Sequence, residues 1–289
     1  MGHDEWVSAH IFYHGDQDPV IVYLIRLIVE ELADGGARPD FFFLRYWEGG
    51  PHVRLRVRAE PRDYDRVRRV IEARCRTFFR SCPSADAIRQ EEYEKTAALL
   101  ARGEGMTDFA RELAPNNSVS FIPYRREYPR YGRAAMAAVE AHFVDSSRIV
   151  LNMLSEGATP KQRVTAVVAM YLIAWLRLGR TAEIAPLDAD YADLFARQRD
   201  VLLPLGRRMR ALVDHTHQIS LDDGLAGWSR TMARLREALE ADRRRLPGVM
   251  TTCAHLAANR LGVDLVSERY ASSLAARTVL ELCEEEQLA

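Results

Sequence analysis

Two hydrophobic periods divide this chain. Runs before residue 60 alternate apolar and polar positions with period two, whereas from Gly132 onward apolar residues recur every third or fourth position. Trp6 to His14 is rich in β-branched and aromatic residues and stops at Gly15-Asp16, which predicts a first strand. Asp18-Pro19 then opens a helix to about Leu32, with Asp18 as N-cap, Pro19 at the first position and Gly35-Gly36 as the stop. Phe41 to Trp47 and His52 to Arg58 are two further strands, joined by Glu48-Gly49-Gly50-Pro51, a length suited to a hairpin. A second helix carries Tyr64, Val67, Ile71, Cys75 and Phe78 at helical spacing. Residues 84 to 114 read as a polar helical insertion or lid, and Val119 to Ile122 as a fourth strand. This order makes most of a ferredoxin-like unit.

Beyond Gly132 the alternation disappears. Met136, Val139, Phe143, Val150 and Leu154 mark one long helix, Val164 to Leu178 another, and residues 188 to 243 two or three more. Residues 249 to 261 and 265 to 286 form two final helices, with Gly262 as a C-terminal cap. The expected fold is therefore α+β, with an N-terminal ferredoxin-like antiparallel sheet lobe over residues 1–131 and a mainly helical lobe over 132–289. No internal repeat is visible.

Composition narrows the class. With 48% hydrophobic and 28% charged residues the chain is an ordinary globular protein. A formal charge of −1 argues against direct nucleic-acid binding, so any cationic feature is local. One exists: residues 52 to 80 hold ten Arg against four acids. Four cysteines without a CxxC pair suit reduced thiols in a cytoplasmic protein. The start MGHDEW lacks signal-peptide character, and the most apolar run, Val164 to Leu176, is too short to span a bilayer.

Three stretches carry candidate chemistry. In HVRLRVR, residues 52 to 58, Val53, Leu55 and Val57 share one face and His52, Arg54, Arg56 and Arg58 the other. On the preceding strand Phe42, Leu44 and Tyr46 form one set, and Phe41, Phe43, Arg45 and Trp47 the other. Pairing of Arg45 onto the basic face would make it cationic and aromatic together, suited to carboxylates or a peptide. An edge strand protected by charge is the alternative. The loop PNNSVSFIPYRREYPRYG, residues 115 to 132, either presents its Arg and Tyr residues or merely packs them. In HLAANRLG, residues 255 to 262, His255 and Asn259 share a helical face beside Arg260. A metal site is not expected: His215 and His217 face different sides of a helix, and His10 and His14 have no accompanying acid or cysteine cluster. No Gly-rich phosphate loop, GxSxG or HExxH occurs, and no cofactor is implied.

Taken in order, FFFLRYWEGGPHVRLRVR (41–58), YRREYPRYG (124–132) continuing into AVEAHFVDSS (138–147), and HLAANRLG (255–262) resemble the C-terminal elimination domain of class I lanthipeptide dehydratases. That domain also occurs as a standalone protein in thiopeptide pathways. The resemblance implies a lyase that removes glutamate from glutamylated Ser or Thr of a ribosomal precursor peptide, leaving dehydroalanine or dehydrobutyrine. It places functional arginines at Arg54, Arg56 and Arg130, with Arg126 as the alternative in that loop, and a functional histidine at His255. Arg126, Arg45, Tyr131 and Asn259 are expected to contact substrate. Arg133 stands where the family usually has a second glycine after RYG, which bears on how the next helix starts.

The implied partners are the precursor peptide and a separate tRNA-dependent glutamylating dehydratase subunit, because the large glutamylation domain is absent from these residues; a homodimer is compatible with the sequence and not specified by it. The chemistry suits those residue types: arginines clamp carboxylates and neutralise a leaving oxygen, and a histidine near neutrality transfers a proton. The expectation is one cleft between the lobes shared by His255, Arg130, Arg54 and Arg56. Two alternatives remain: a pyridine synthase, which shares the fold and joins two dehydroalanines with loss of the leader peptide, and a non-catalytic partner that binds the precursor.

Overall fold

The computed structural model describes residues 5–33, 37–85, 88–179, 191–215 and 224–287. Gly35-Gly36 and His217, both used in the sequence reading, lie outside the described residues. The chain divides into two compact units, Met1–Arg125 and Arg126–Ala289.

The first unit is built on β1 (Trp6–Phe12), β2 (Phe41–Tyr46), β3 (His52–Arg58) and β4 (Ser118–Phe121) in the order β2-β3-β1-β4, with every neighbouring pair antiparallel. This is the ferredoxin-like arrangement, in which β3 inserts between β1 and β2. A π-helical segment, Val20–Ile25, runs into α1 (Arg26–Leu32), and a 3₁₀ turn, Pro61–Asp63, into α2 (Tyr64–Ser81). Alternation gives the sheet an apolar face made of Val7, Ala9, Ile11, Phe41, Phe43, Val53, Leu55 and Val57, all buried. The helices supply Val20, Ile21, Leu24, Ile28, Val67 and Ile71 to the same core.

Two details correct the expected helix and lid. Asp18 does not cap the first helix: Asp18 and Pro19 already lie in its first turn, the Gln17 carbonyl accepts from Ile21 N at 3.1 Å, and the Asp18 carboxylate accepts from Arg45 Nη2 at 2.5 Å. Within 84–114 the described helix is α3 (Gln90–Gly103) alone, and the other described residues are irregular. Tyr93 of α3 ties that segment to the hairpin, its hydroxyl accepting from Gly49 N at 2.7 Å and donating to the Ala110 carbonyl at 2.5 Å.

The second unit contains α4 (Tyr128–Tyr131), α5 (Met136–Ser155), α6 (Pro160–Leu178), α7 (Ala192–Asp214), α8 (Gly224–Ala238), α9 (Leu246–Leu261) and α10 (Leu265–Gln287), and no strand among the described residues. Central α6 is buried continuously from Val167 to Trp175, as a helix apolar on all sides must be. Its start is fixed by a capping box between Thr159 and Gln162, with Pro160 at the first position. Gly206 lets α7 approach α10, since a Cβ there would lie 2.7 Å from Thr278 Cγ2 and 2.8 Å from Leu282 Cδ1. Gly262 ends α9 at φ 73°, the left-handed cap expected from its sequence position. Among the described residues no helix is long and apolar enough to cross a membrane.

Candidate functional site

The register decides what shares a face with the HVRLRVR cations. Arg56 pairs with Phe42 on β2 and Ser8 on β1, Arg54 with Leu44 and His10, and His52 with Tyr46 and Phe12. Arg45 instead lies opposite Val53, on the other face, where it engages Asp18. Arg45 therefore does not pair onto the basic face: with period two, Tyr46 opposite His52 sends Arg45 to the apolar side. β3 is also an interior strand, so its charges do not protect an edge.

On this face each arginine lies over an aromatic ring. Arg54 Cζ sits 3.4 Å from the Tyr46 ring centroid, Arg56 lies 5.1 Å from Phe42 and 4.6 Å from Tyr124, and Arg58 lies 4.9 Å from Trp6. Such contacts contribute about 0.5–2 kcal/mol each, more when dry. Arg56 is only 7% exposed, whereas Arg58 is exposed and pairs with Asp40 at 3.2 Å. Arg54 is held most closely. Its Nη2 donates to Glu48 Oε2 at 3.1 Å and its Nε to His52 Nε2 at 3.3 Å.

That second bond identifies the state of His52. Its Nδ1 lies 2.8 Å from the Gly50 carbonyl, which can only accept, so Nδ1 carries the proton and Nε2 offers its lone pair to Arg54. His52 is thus a neutral support for Arg54 rather than a flanking charge. Burial first, then Arg54 and Arg56, hold its pKa down to about 3, with the Gly50 bond opposing. His10 stacks on it at 4.9 Å and is pushed lower still, to about 2, chiefly by burial.

The loop and α4 place the remaining candidates within the second unit. Arg126 makes a two-pronged ion pair with Glu140 of α5, Nε to Oε1 at 2.6 Å and Nη2 to Oε2 at 3.1 Å, and Glu140 is 2% exposed. Its guanidinium is committed to holding the loop on α5. Arg130 is half-exposed and faces Glu127 at 3.4 Å. Tyr131 is buried and edge-on to Phe143 at 5.7 Å, and burial raises its pKa well above the usual range for tyrosine. Arg260 is fully buried, bonded to Ser146 at 3.1 Å and lying 5.4 Å from the Phe143 ring, so it packs α9 against α5.

His255 and Asn259 lie on the partly exposed stripe of α9. His255 Nδ1 is 2.9 Å from Glu268 Oε1 and 3.0 Å from Oε2, and Tyr171 donates its hydroxyl to the same Oε1 at 2.6 Å. Glu268 is 6% exposed and the His255 side chain 42%. A buried acid thus grips an accessible imidazole, the arrangement that prepares a histidine for proton transfer. Sequence reasoning singled out His255 but not Glu268 or Tyr171, which the structure links to it. One signal was present for the tyrosine, because a phenol inside a helix apolar on all sides must find an acceptor.

Among the described residues no three His, Cys, Asp or Glu gather as a metal site, and the four cysteines are unpaired thiols.

A ferredoxin-like unit followed by a helical unit carrying an acid-gripped histidine defines the class. The chain belongs to the lantibiotic biosynthesis dehydratase C-terminal family, whose model matches residues 6–279. No protein of curated function matches the sequence significantly. Among solved structures, the fold resembles the pyridine synthase TbtD from thiomuracin biosynthesis, with TM-score 0.74 and 21% identity over 96% of this chain and 98% of that one. It also resembles the tRNA-dependent lantibiotic dehydratase MibB from Microbispora sp. 107891, with TM-score 0.61 and 19% identity over 99% of this chain and 29% of that one. TsrL matches with TM-score 0.60 and 16% identity over 96% and 95%. At these identities the structures establish the shared fold.

Proposed function

We propose that the protein is a lyase that eliminates glutamate from glutamylated Ser or Thr in a ribosomally made precursor peptide, giving dehydroalanine or dehydrobutyrine. The observation that carries this reading is His255, accessible to a substrate while buried Glu268 grips its Nδ1. In the reaction a base removes the Cα proton, the electron pair forms the Cα–Cβ double bond, and the Cβ–O bond breaks to release glutamate as its carboxylate. His255 takes that proton, and Arg54, Arg56 and Arg130 neutralise the glutamyl carboxylates and the leaving oxygen. A separate tRNA-dependent subunit supplies the glutamylated peptide, and both work in the cytoplasm. The similarity to MibB, over 29% of that dehydratase, supports a component of such a system.

A second reading has its own observation. The pyridine synthase TbtD aligns with this chain over nearly the full length of both. Incubation with a pre-glutamylated precursor peptide separates the two by mass. Successive losses of glutamic acid, abolished in His255→Ala, are expected for the lyase. An unchanged glutamylated peptide, with ring formation and leader release from a dehydrated one, would establish the synthase instead.

A further inference from the structure

We infer that Glu268 and Tyr171 are positioning residues: Glu268 fixes the tautomer of His255 and raises its affinity for a proton, and Tyr171 holds the Glu268 carboxylate in place. The consequence for catalysis rests on the lyase reading; the geometry does not depend on it.

The arrangement follows from how α9 ends and α10 begins. Gly262 closes α9, and Asp264 Oδ1 accepts from Val266 N at 3.0 Å and Ser267 N at 2.9 Å, fixing the first turn of α10. Glu268, one turn in, then reaches His255. Carboxylate oxygens only accept, so with both near Nδ1 that nitrogen carries a proton, and in the neutral ring Nε2 keeps the lone pair. The phenol of Tyr171 is the donor to Oε1, since burial and Glu268 both push its pKa far above the ordinary value. It immobilises the carboxylate and shares its charge. When Nε2 gains a proton, the imidazolium finds its counter-ion already in place, with no reorganisation.

Arg163 of α6 donates to the carbonyls of Ala158 at 2.9 Å and Leu261 at 3.1 Å, Glu140 of α5 holds Arg126, and Arg234 of α8 pairs with Asp145 at 3.7 Å. A His–Glu bond could serve only to fasten α9 to α10, so the test needs a readout that fastening alone would not move.

Nitrogen-15 NMR of the histidine-labelled full chain, with the resonance assigned through His255→Gln, supplies it. The neutral ring is expected as the Nδ1–H tautomer, and Glu268→Gln, which preserves shape, should lower the His255 pKa by about one unit or more. Tyr171→Phe should raise it by less, because the carboxylate loses a donor. On glutamylated peptide Glu268→Gln should lose about 10²-fold in kcat with KM little changed, and Glu268→Asp should recover part of that loss. An Nε2–H tautomer, or an unchanged titration in Glu268→Gln, overturns the inference even if the wild type releases glutamate. The expected NMR behaviour in a wild type that releases none upholds the positioning and removes the lyase reading.

Discussion

The cationic sheet face and the α9 histidine use polar side chains in opposite ways. On β3 the charges are internal supports: Arg54 is stacked on Tyr46, bonded to His52 and paired with Glu48, and Arg56 lies between Phe42 and Tyr124. Substrate binding there must work with residues that also hold the sheet together. At the histidine of α9 the acid, on α10, is buried and the imidazole half-exposed, so on the proposed reading the group that reacts is separate from the group that orients it. On the proposed reading, a mutation in the first region should change stability and binding together, and one in the second should change chemistry with little cost to the fold.

Acid should strain the first unit more than the second. His10 and His52 in the sheet and His142 under α8 have pKa values pushed by burial to about 2, 3 and 3, against an ordinary 6.5. The unfolded chain takes up protons below about pH 6.5 while the folded one does not until about pH 3, so stability falls through that window and none of this effect operates above it. Each histidine contributes up to about 1.4 kcal/mol per pH unit. Thermal melts at pH 7.5 and 5.0 should show the loss, and replacing both sheet histidines, His10→Gln with His52→Gln, should flatten it about twice as much as His142→Asn does. Equal slopes in wild type and the double variant would break the contrast between units.

Next in size is the ion pair that first looked like a substrate site. Arg126→Ala leaves the buried Glu140 carboxylate without its guanidinium, and about 3 kcal/mol of stability should be lost in urea unfolding. The folded fraction should keep its kcat. A large rise in KM at unchanged stability would return Arg126 to the binding surface.

How much was legible follows from which contacts are local. Alternation assigned Val53, Leu55 and Val57 to one face of β3 and its cations to the other, and capping chemistry placed Gly262, because both depend on neighbours in sequence. Arg45 was not legible. A four-residue connection would pair Trp47 with His52 and put Arg45 on the basic face, whereas the structure pairs Tyr46 with His52 across the five residues 47–51. The turn needs Gly50 at φ 108°, where a Cβ would meet Leu113 Cδ1 at 2.7 Å, a constraint set by a segment sixty residues away. Glu268 was invisible for the same reason. Its role is assigned by a histidine on another helix and a tyrosine almost a hundred residues earlier.

The sheet face offers a smaller test of its double duty. Arg56→Ala should cost about 2 kcal/mol, from the stacked guanidinium and its stem together, and also weaken peptide binding. Arg56→Lys keeps the charge and loses the planar stack, so it should recover less than half of either effect. Recovery of binding without stability would mean that the two duties are separable.

The smallest expected effect probes the other side of the contrast. Asp264→Ala removes the acceptor for two backbone amides at the start of α10 and should cost about 1 kcal/mol. Hydrogen exchange should quicken at Val266 and Ser267 while the α6 core stays protected. Because Glu268 is only one turn further on, its hold on His255 should loosen as well, so kcat should fall several-fold. If the first turn frays and kcat is unchanged, the cap maintains the helix alone, and the orientation of Glu268 depends on Tyr171.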